Sequence, residues 1–182
     1  MSKGLVRYQK SGHLHFITFS CDQRRPYLRS QAACELFEQA LETMRKRYAF
    51  YVLGYVIMPE HVHILLAEPK QVPLAKAIQA LKLSVSVKST RRPFWLPRYY
   101  DFNVFTDRKL TEKLRYMHRN PVERGLTLTP HDWACSSFRH YLTGERSTVE
   151  IESHWTVSQR DRSTTNTQVS EAKPGAPTPG TT

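Results

Sequence analysis

Histidine pairs of the form H-x-H occur twice in this chain. One is His13 and His15 in the stretch GHLHF; the other is His61 and His63 in PEHVHILL. Neutral imidazole is a common ligand for divalent metals, and residues i and i+2 of a strand share a face, so two rings can converge on one ion. Around the second pair, Val62, Ile64 and Leu66 fall on one face and His61, His63 and Leu65 on the other. A core accounts for the apolar set. The two imidazoles are either half-exposed polar residues on a solvated face or the start of a metal site. Spacing alone favours the solvated face and does not separate one pair from the other.

Such a site needs a sheet to hold it. HLHFITFSC, residues 13–21, reads as a strand. Ala33, Phe37, Ala40, Leu41, Met44 and Tyr48 form an apolar stripe at helical spacing, with Ser30 as its N-cap. Residues 50–58 and 61–68 are strands joined by a tight connection at Pro59 and Glu60. Pro73 suits the first turn of a helix carrying Leu74, Ile78, Leu81 and Val85 on one face. Residues 94–105 are aromatic and extended, an edge strand by virtue of Pro97. A helix follows from Asp107 to about Arg119, and NPVERGL breaks it. The order strand, helix, strand, strand, helix, strand predicts an α+β fold of the ferredoxin-like, split βαβ kind. It implies an antiparallel sheet with helices on one face, a largely open second face, and a further C-terminal helix.

The chain of 182 residues carries a formal net charge of +11, with a pI near 9.8. That balance favours a polyanionic partner, nucleic acid before anionic membrane. No apolar run approaches the roughly 20 residues of a spanning helix, and MSKGLVRYQK lacks the apolar stretch of a signal peptide. Cys21, Cys34 and Cys135 are odd in number and form no CxxC, which suggests neither a disulfide framework nor a cysteine zinc site and points to a reducing, cytoplasmic setting. From Ser158 onward the sequence has no aromatic residue and is rich in Ser, Thr, Pro and Gly. One domain over residues 1–150 and a disordered tail over 151–182 are expected.

Three strings belong together: GYVIMPEHVHILL, LRYMHRNPVERGL and WACSSFRHYLTGE. In combination they resemble the single-tyrosine HUH transposases, and more narrowly the REP-associated tyrosine transposases of bacteria. The resemblance runs from about Arg7 to Gly144. In that family HUH denotes His, hydrophobic residue, His, here His61, Val62 and His63, and the nucleophile opens a YxHxNPV-like string, here Tyr116. HLHF has no counterpart as a whole; only His15 falls where the family often carries a histidine. The resemblance implies a Mg- or Mn-dependent endonuclease and strand transferase acting on single-stranded DNA through a 5′-phosphotyrosine intermediate. It also implies REP-type hairpins as substrate, a domesticated enzyme in the cytoplasm at the nucleoid, and a monomer acting in cis. A third metal ligand is expected from the tyrosine helix. Related transposases place a glutamine one turn after the tyrosine, where this chain has Asn120.

The helix from Asp107 carries this chemistry on its own terms. Leu110, Leu114 and Met117 make one apolar stripe, and Tyr116 sits about 100° from it. Asn120, Lys109 and Lys113 fall on the same flank as Tyr116. A tyrosine, an amide and two cations are what a phosphodiester transesterification site needs; the bland alternative is a tyrosine at the core boundary beside solvated lysines. A phenol of pKa near 10 needs help to lose its proton, from a base or from a cation such as Lys113. Asn120 precedes Pro121, so an N-cap for a short turn is as good a reading as a metal ligand. Glu60 fits a hairpin turn better than a partner for His61. His118 should point away from the site. Arg24 and Arg25 with Tyr27, Lys88, Arg91 and Arg92 before FWLPRYY, and Lys109, Lys113, Arg115, Arg119 and Arg124 around the tyrosine are the candidate DNA contacts. Trp95, Trp133 and Phe138 are expected in the core. Two other classes stay open: a hairpin DNA- or RNA-binding regulator that kept the fold and lost cleavage, and a metal-dependent phosphodiesterase without a covalent step. Tyr116, His61 and His63 together favour the tyrosine enzyme.

Overall fold

In the computed structural model, which describes residues 13–159, the first strand that the alternation predicts lies inside a four-stranded antiparallel sheet. The strands are β1 (Leu14–Ser20), β2 (Val52–Ile57), β3 (His61–Ala67) and β4 (Tyr100–Val104), in the order β2-β3-β1-β4. Between them run α1 (Gln31–Tyr48) and α2 (Leu74–Val87), which completes the split βαβ order. Ser30 caps α1 as its sequence position predicts, its Oγ accepting from the Ala33 N–H at 3.2 Å. β4 is an edge strand, but it starts only at Tyr100. The segment before it is held instead by a single bridge from Trp95 to Cys21 and by the Lys82 ammonium, which donates to the Leu96 and Pro97 carbonyls.

Register sorts the side chains between two faces. Ile17, Phe19, Val62, Ile64 and Leu66 pack against Phe37 and Leu41 of α1 and Ile78 and Leu81 of α2. The opposite face is not left open. There α3 (Asp107–Glu123) lays Leu110, Leu114 and Met117 over Phe16, Val56, Met58, Leu65 and Val104. An apolar stripe on a helix and an apolar patch on a sheet both lose contact with water this way, which is why the expected open face is covered. The approach is closest at Gly54 of β2, where an added Cβ would sit 2.7 Å from Leu114 Cδ2. A side chain at this position would force Leu114 aside and crowd Met117 and Ser137. His118 fixes the same seam from the other side. Its Nε2 bonds Ser137 Oγ at 2.9 Å, and that oxygen also accepts from the Tyr55 N–H. Burial drives the His118 imidazole down to about 4.

Three further expectations change. First, α3 does not stop before Pro121 but continues to Glu123. Pro121 costs one backbone hydrogen bond near the helix end. The last turn is closed by Arg124 N–H to Asn120 O and Gly125 N–H to Val122 O, with Gly125 in the left-handed region at φ 66°. Second, Cys34 of α1 and Cys135 are joined as a disulfide, leaving Cys21 buried and free. The partners stand 101 residues apart, so no spacing motif announces them; packing brings their Cα atoms to 5.9 Å. The argument from cysteine count to a reducing compartment falls with this pairing. Third, the folded part passes residue 150. After α4 (Phe138–Thr143) the chain returns to β2, where buried Ile151 bridges Val52 and Val149 joins the core. A helical turn over 154–159 sets Trp155 against Gly144. Two isolated apolar residues are too short a pattern to reveal this return. The rest of the predicted tail lies outside the described residues.

Candidate active site

β3 presents His61 and His63 to the α3 side of the sheet, both nearly buried. Their Nε2 atoms lie 3.1 Å apart. Each ring is held by its other nitrogen. His61 Nδ1 donates to Glu60 Oε1 at 3.1 Å, and His63 Nδ1 bonds Thr18 Oγ1 at 2.7 Å. Thr18 is the β1 residue directly opposite His63 in register. Partners on Nδ1 fix ring orientation and leave Nε2 to point where a ligand atom is wanted. Burial pushes the His63 imidazole down to about 3, with His61 and Lys113 adding to the shift. His61 is lowered by burial as well, against the pull of Glu60. Both rings are therefore neutral at neutral pH, the state that metal coordination requires. Burial raises the Glu60 carboxyl, but His61 and Arg124 outweigh it and hold Glu60 below its usual range.

One wall of the cleft is a face of α3, extended by its C-cap Arg124. Lys113, Tyr116, Asn120 and Arg124, at steps of three, four and four, all line the cleft over the histidines. Asn120 is buried inside the helix, not a cap, and its Nδ2 lies 3.2 Å from His63 Nε2. The amide oxygen is a half-turn away about the terminal bond, so a ligating atom is at hand. Tyr116 is 44% exposed, its ring 5.5 Å from that of His63 and 6.1 Å from that of Phe16. Arg124 donates to Glu60 Oε1 at 2.8 Å, so Glu60 is no mere turn residue: it ties the end of α3 to His61. The cleft encloses about 450 Å³ and also takes in Thr18, Ser20, Arg24 and Tyr100. Among the described residues no three or more His, Cys, Asp or Glu side chains form a metal-binding group. The donor set is two imidazoles and an amide. It fits a divalent ion whose remaining positions are filled by water or substrate oxygen.

The predicted cations scatter. Arg24, Lys113 and Arg124 line the cleft. Arg25 is exposed beside Gln23, and Lys88 is exposed at the end of α2. Arg91 lies over the Tyr27 ring at 5.7 Å. Arg92 donates to the Ser86, Ser89 and Arg91 carbonyls, so it closes the C-terminus of α2. Lys109 pairs with Glu112 at 2.8 Å. Arg115 and Arg119 line an adjoining groove on the outer side of α3, which shares Tyr116 and Glu123 with the cleft; Arg108 joins them there, and Asp107, Glu112 and Glu123 balance their charge. His118 turns away from the cleft to Ser137, as expected. Trp95 is in the core, the Trp133 indole donates to the Ile57 carbonyl, and Phe138 packs on His118. Phe16, Thr18 and Tyr100 also line the cleft, and Phe102 lies under the Lys113 ammonium; none of the four is marked by a motif. Their placement follows from strand register, which motif strings do not carry.

His13 and His15 take no part. His15 lies on the other face, fully buried, with Nδ1 2.8 Å from Asp101 Oδ1. His13 packs edge-on against Phe105.

The chain is similar to known proteins in sequence and in fold. A family model described as Transposase IS200 like matches residues 8–120, which spans β1 through Asn120. A Haemophilus influenzae protein named as a REP-associated tyrosine transposase is 25% identical over 150 residues, 74% of this chain and 84% of that protein. The solved structure of a REP-associated tyrosine transposase bound to a REP hairpin superposes with a TM-score of 0.70 at 20% identity, covering 84% of this chain and 93% of that one. That likeness establishes the shared α+β fold. Among the described residues no helix is long and apolar enough to cross a membrane.

Proposed function

The chain belongs to the IS200-like transposase family, and from that premise we propose that it cuts and rejoins single-stranded DNA with Tyr116 as nucleophile. One observation carries the reading: Tyr116 and Asn120 stand one turn apart on α3, and both face the Nε2 side of His61 and His63. Nucleophile and ligand set thus share a single cleft.

Tyr116 Oη attacks the scissile phosphorus. The Oη–P bond forms as the P–O3′ bond breaks, the phenol proton is lost, and the departing 3′-oxygen takes up a proton. The strand remains joined to the protein as a 5′-phosphotyrosine. Attack by a 3′-OH reverses the step, so the phosphodiester energy is conserved and no nucleotide cofactor is needed. His61, His63 and Asn120 would hold a divalent cation, Mg or Mn, which when bound polarises the phosphate. Thr18 and Glu60 keep both imidazoles aimed, and Arg24 and Arg124 offer positive charge at the cleft mouth. REP-type hairpin DNA is the substrate we infer, because the Haemophilus relative is named for REP elements and the structural neighbour holds a REP hairpin. Because α3 meets the histidines of its own chain, a monomer can act in cis. On this reading the protein works in the cytoplasm at the nucleoid.

The test uses the whole chain and its Tyr116→Phe variant with a labelled REP hairpin and Mn or Mg. A denaturant-resistant protein–DNA adduct is expected from the unaltered chain alone. Cleavage without an adduct, or an adduct from the variant, would sink the mechanism.

A further inference from the structure

Of the two lysines on α3, Lys109 pairs with Glu112 at the surface, and Lys113 turns into the cleft. Its Nζ lies 4.5 Å from the ring centre of Phe102, 4.9 Å from that of Phe16 and 5.9 Å from that of Tyr116. Phe16 and Phe102 stand opposite each other in the β1–β4 register, so the two rings form a floor under the ammonium. Aromatic faces attract a cation without neutralising it. Among the described residues no carboxylate lies within ion-pair distance of Lys113. The acids around it are engaged elsewhere: Glu112 with Lys109, Glu123 with Arg119 and Glu60 with Arg124. Lys113 is thus a half-buried cation, one helical turn before Tyr116, with no ion-pair partner among the described residues.

We propose that Lys113 is a catalytic residue whose ammonium contacts a non-bridging oxygen of the phosphate that Tyr116 attacks. The inference rests on the tyrosine-nucleophile reading and adds the group that balances charge at the reacting centre. A phosphodiester carries one negative charge. Attack by a deprotonated phenol adds a second, and both sit on the five-coordinate phosphorus group until the P–O3′ bond breaks and the 3′-oxygen takes up a proton. Lys113 transfers no proton in this step. It places a fixed charge and N–H donors where the second charge develops, and that is the interaction that gains most on reaching the transition state. Phe16 and Phe102 are positioning residues: they hold the ammonium in place and offer no acceptor that competes with phosphate. Arg24 and Arg124 do not duplicate the role. Arg24 is exposed at the rim, and Arg124 is paired with Glu60.

Single-turnover adduct formation on labelled hairpin DNA with Mn tests the proposal, with DNA affinity and thermal melting measured on the same proteins. Lys113→Met keeps the stem over the two rings and removes the charge. It should form adduct on the order of 10²–10³-fold more slowly while binding DNA within about threefold of the unaltered chain. Lys113→Arg should recover part of the rate. Added propylammonium should partly rescue Lys113→Ala, whereas tetramethylammonium, a cation without N–H donors, should not. Phe102→Leu keeps the Lys113 charge but removes one ring that positions it; it guards against a misfolded Met variant and should show a smaller loss in rate with unchanged affinity. A full-rate Lys113→Met overturns the proposal and leaves the tyrosine mechanism standing. So does a loss of affinity that accounts for the whole loss of rate, which would make Lys113 one more phosphate anchor. If the unaltered chain forms no adduct, both readings fall together.

Discussion

The same three-residue pattern occurs twice in this chain and ends on opposite faces of one sheet. His15 points to the side covered by α1 and α2, where its register partner in β3 is Leu66 and its Nδ1 meets Asp101. Its Nε2 and the second Asp101 oxygen are buried with no hydrogen-bond partner, so nothing more can reach them. His61 and His63 point to the α3 side. There the Nδ1 atoms are held, the Nε2 atoms converge, and a cleft opens above them. Spacing is identical in the two pairs. What makes one a candidate ligand set is the traffic at each ring nitrogen: one held by a neighbour, the other facing space that substrate can enter. A buried imidazole with a carboxylate on one nitrogen and core on the other is a structural unit.

Four substitutions would break or sharpen this contrast. The largest effect is expected from His61→Ala or His63→Ala. Either should reduce adduct formation to background and abolish Mn binding in titration calorimetry, with the melting midpoint held near that of the unaltered chain. Next comes His15→Ala. It strands the Asp101 carboxyl in the interior, and removing one partner of such a pair costs about 3–5 kcal/mol. Denaturant unfolding should show that loss, while the adduct rate per folded molecule stays the same. A folded His15→Ala protein without activity would erase the distinction between the pairs. The smallest effect is expected at Thr18. Thr18→Val keeps the shape and removes the oxygen beside His63 Nδ1, and loss of such a supporting bond typically lowers metal affinity about 10–100-fold. Unchanged Mn affinity would mean that the β1 strand contributes packing alone.

Most of the scaffold was legible because its periods are regular. The Ser30 cap, the α1 stripe, the hairpin at Pro59 and Glu60, and the α2 face all follow from local spacing. Tyr116 and Asn120 were legible as neighbours because four residues make one turn. Local rules failed where tertiary contact outweighs them. The bias against helix before Pro121 is worth less than the contacts that keep α3 on the sheet and Asn120 against His63. Thr18 and Phe102 could not be found without the strand register, and the disulfide could not be found without the packing of α1. Arg92 shows the converse. Composition counted it as a charge for DNA, and the fold uses it on carbonyls at and just past the end of α2.

Lys113, Tyr116 and Asn120 occupy successive turns of one uninterrupted helix, and Arg124 is its C-cap. A residue inserted between the first and the last would rotate one end against the other by about 100° and shift it by about 1.5 Å. Either Lys113 and Tyr116 would leave the cleft, or Asn120 and Arg124 would lose His63 and Glu60. The outward residues of the same stretch, Arg115 and Arg119, carry no such constraint. Over these twelve positions, change by substitution is open on one side of the helix, and change by length is closed on all of it.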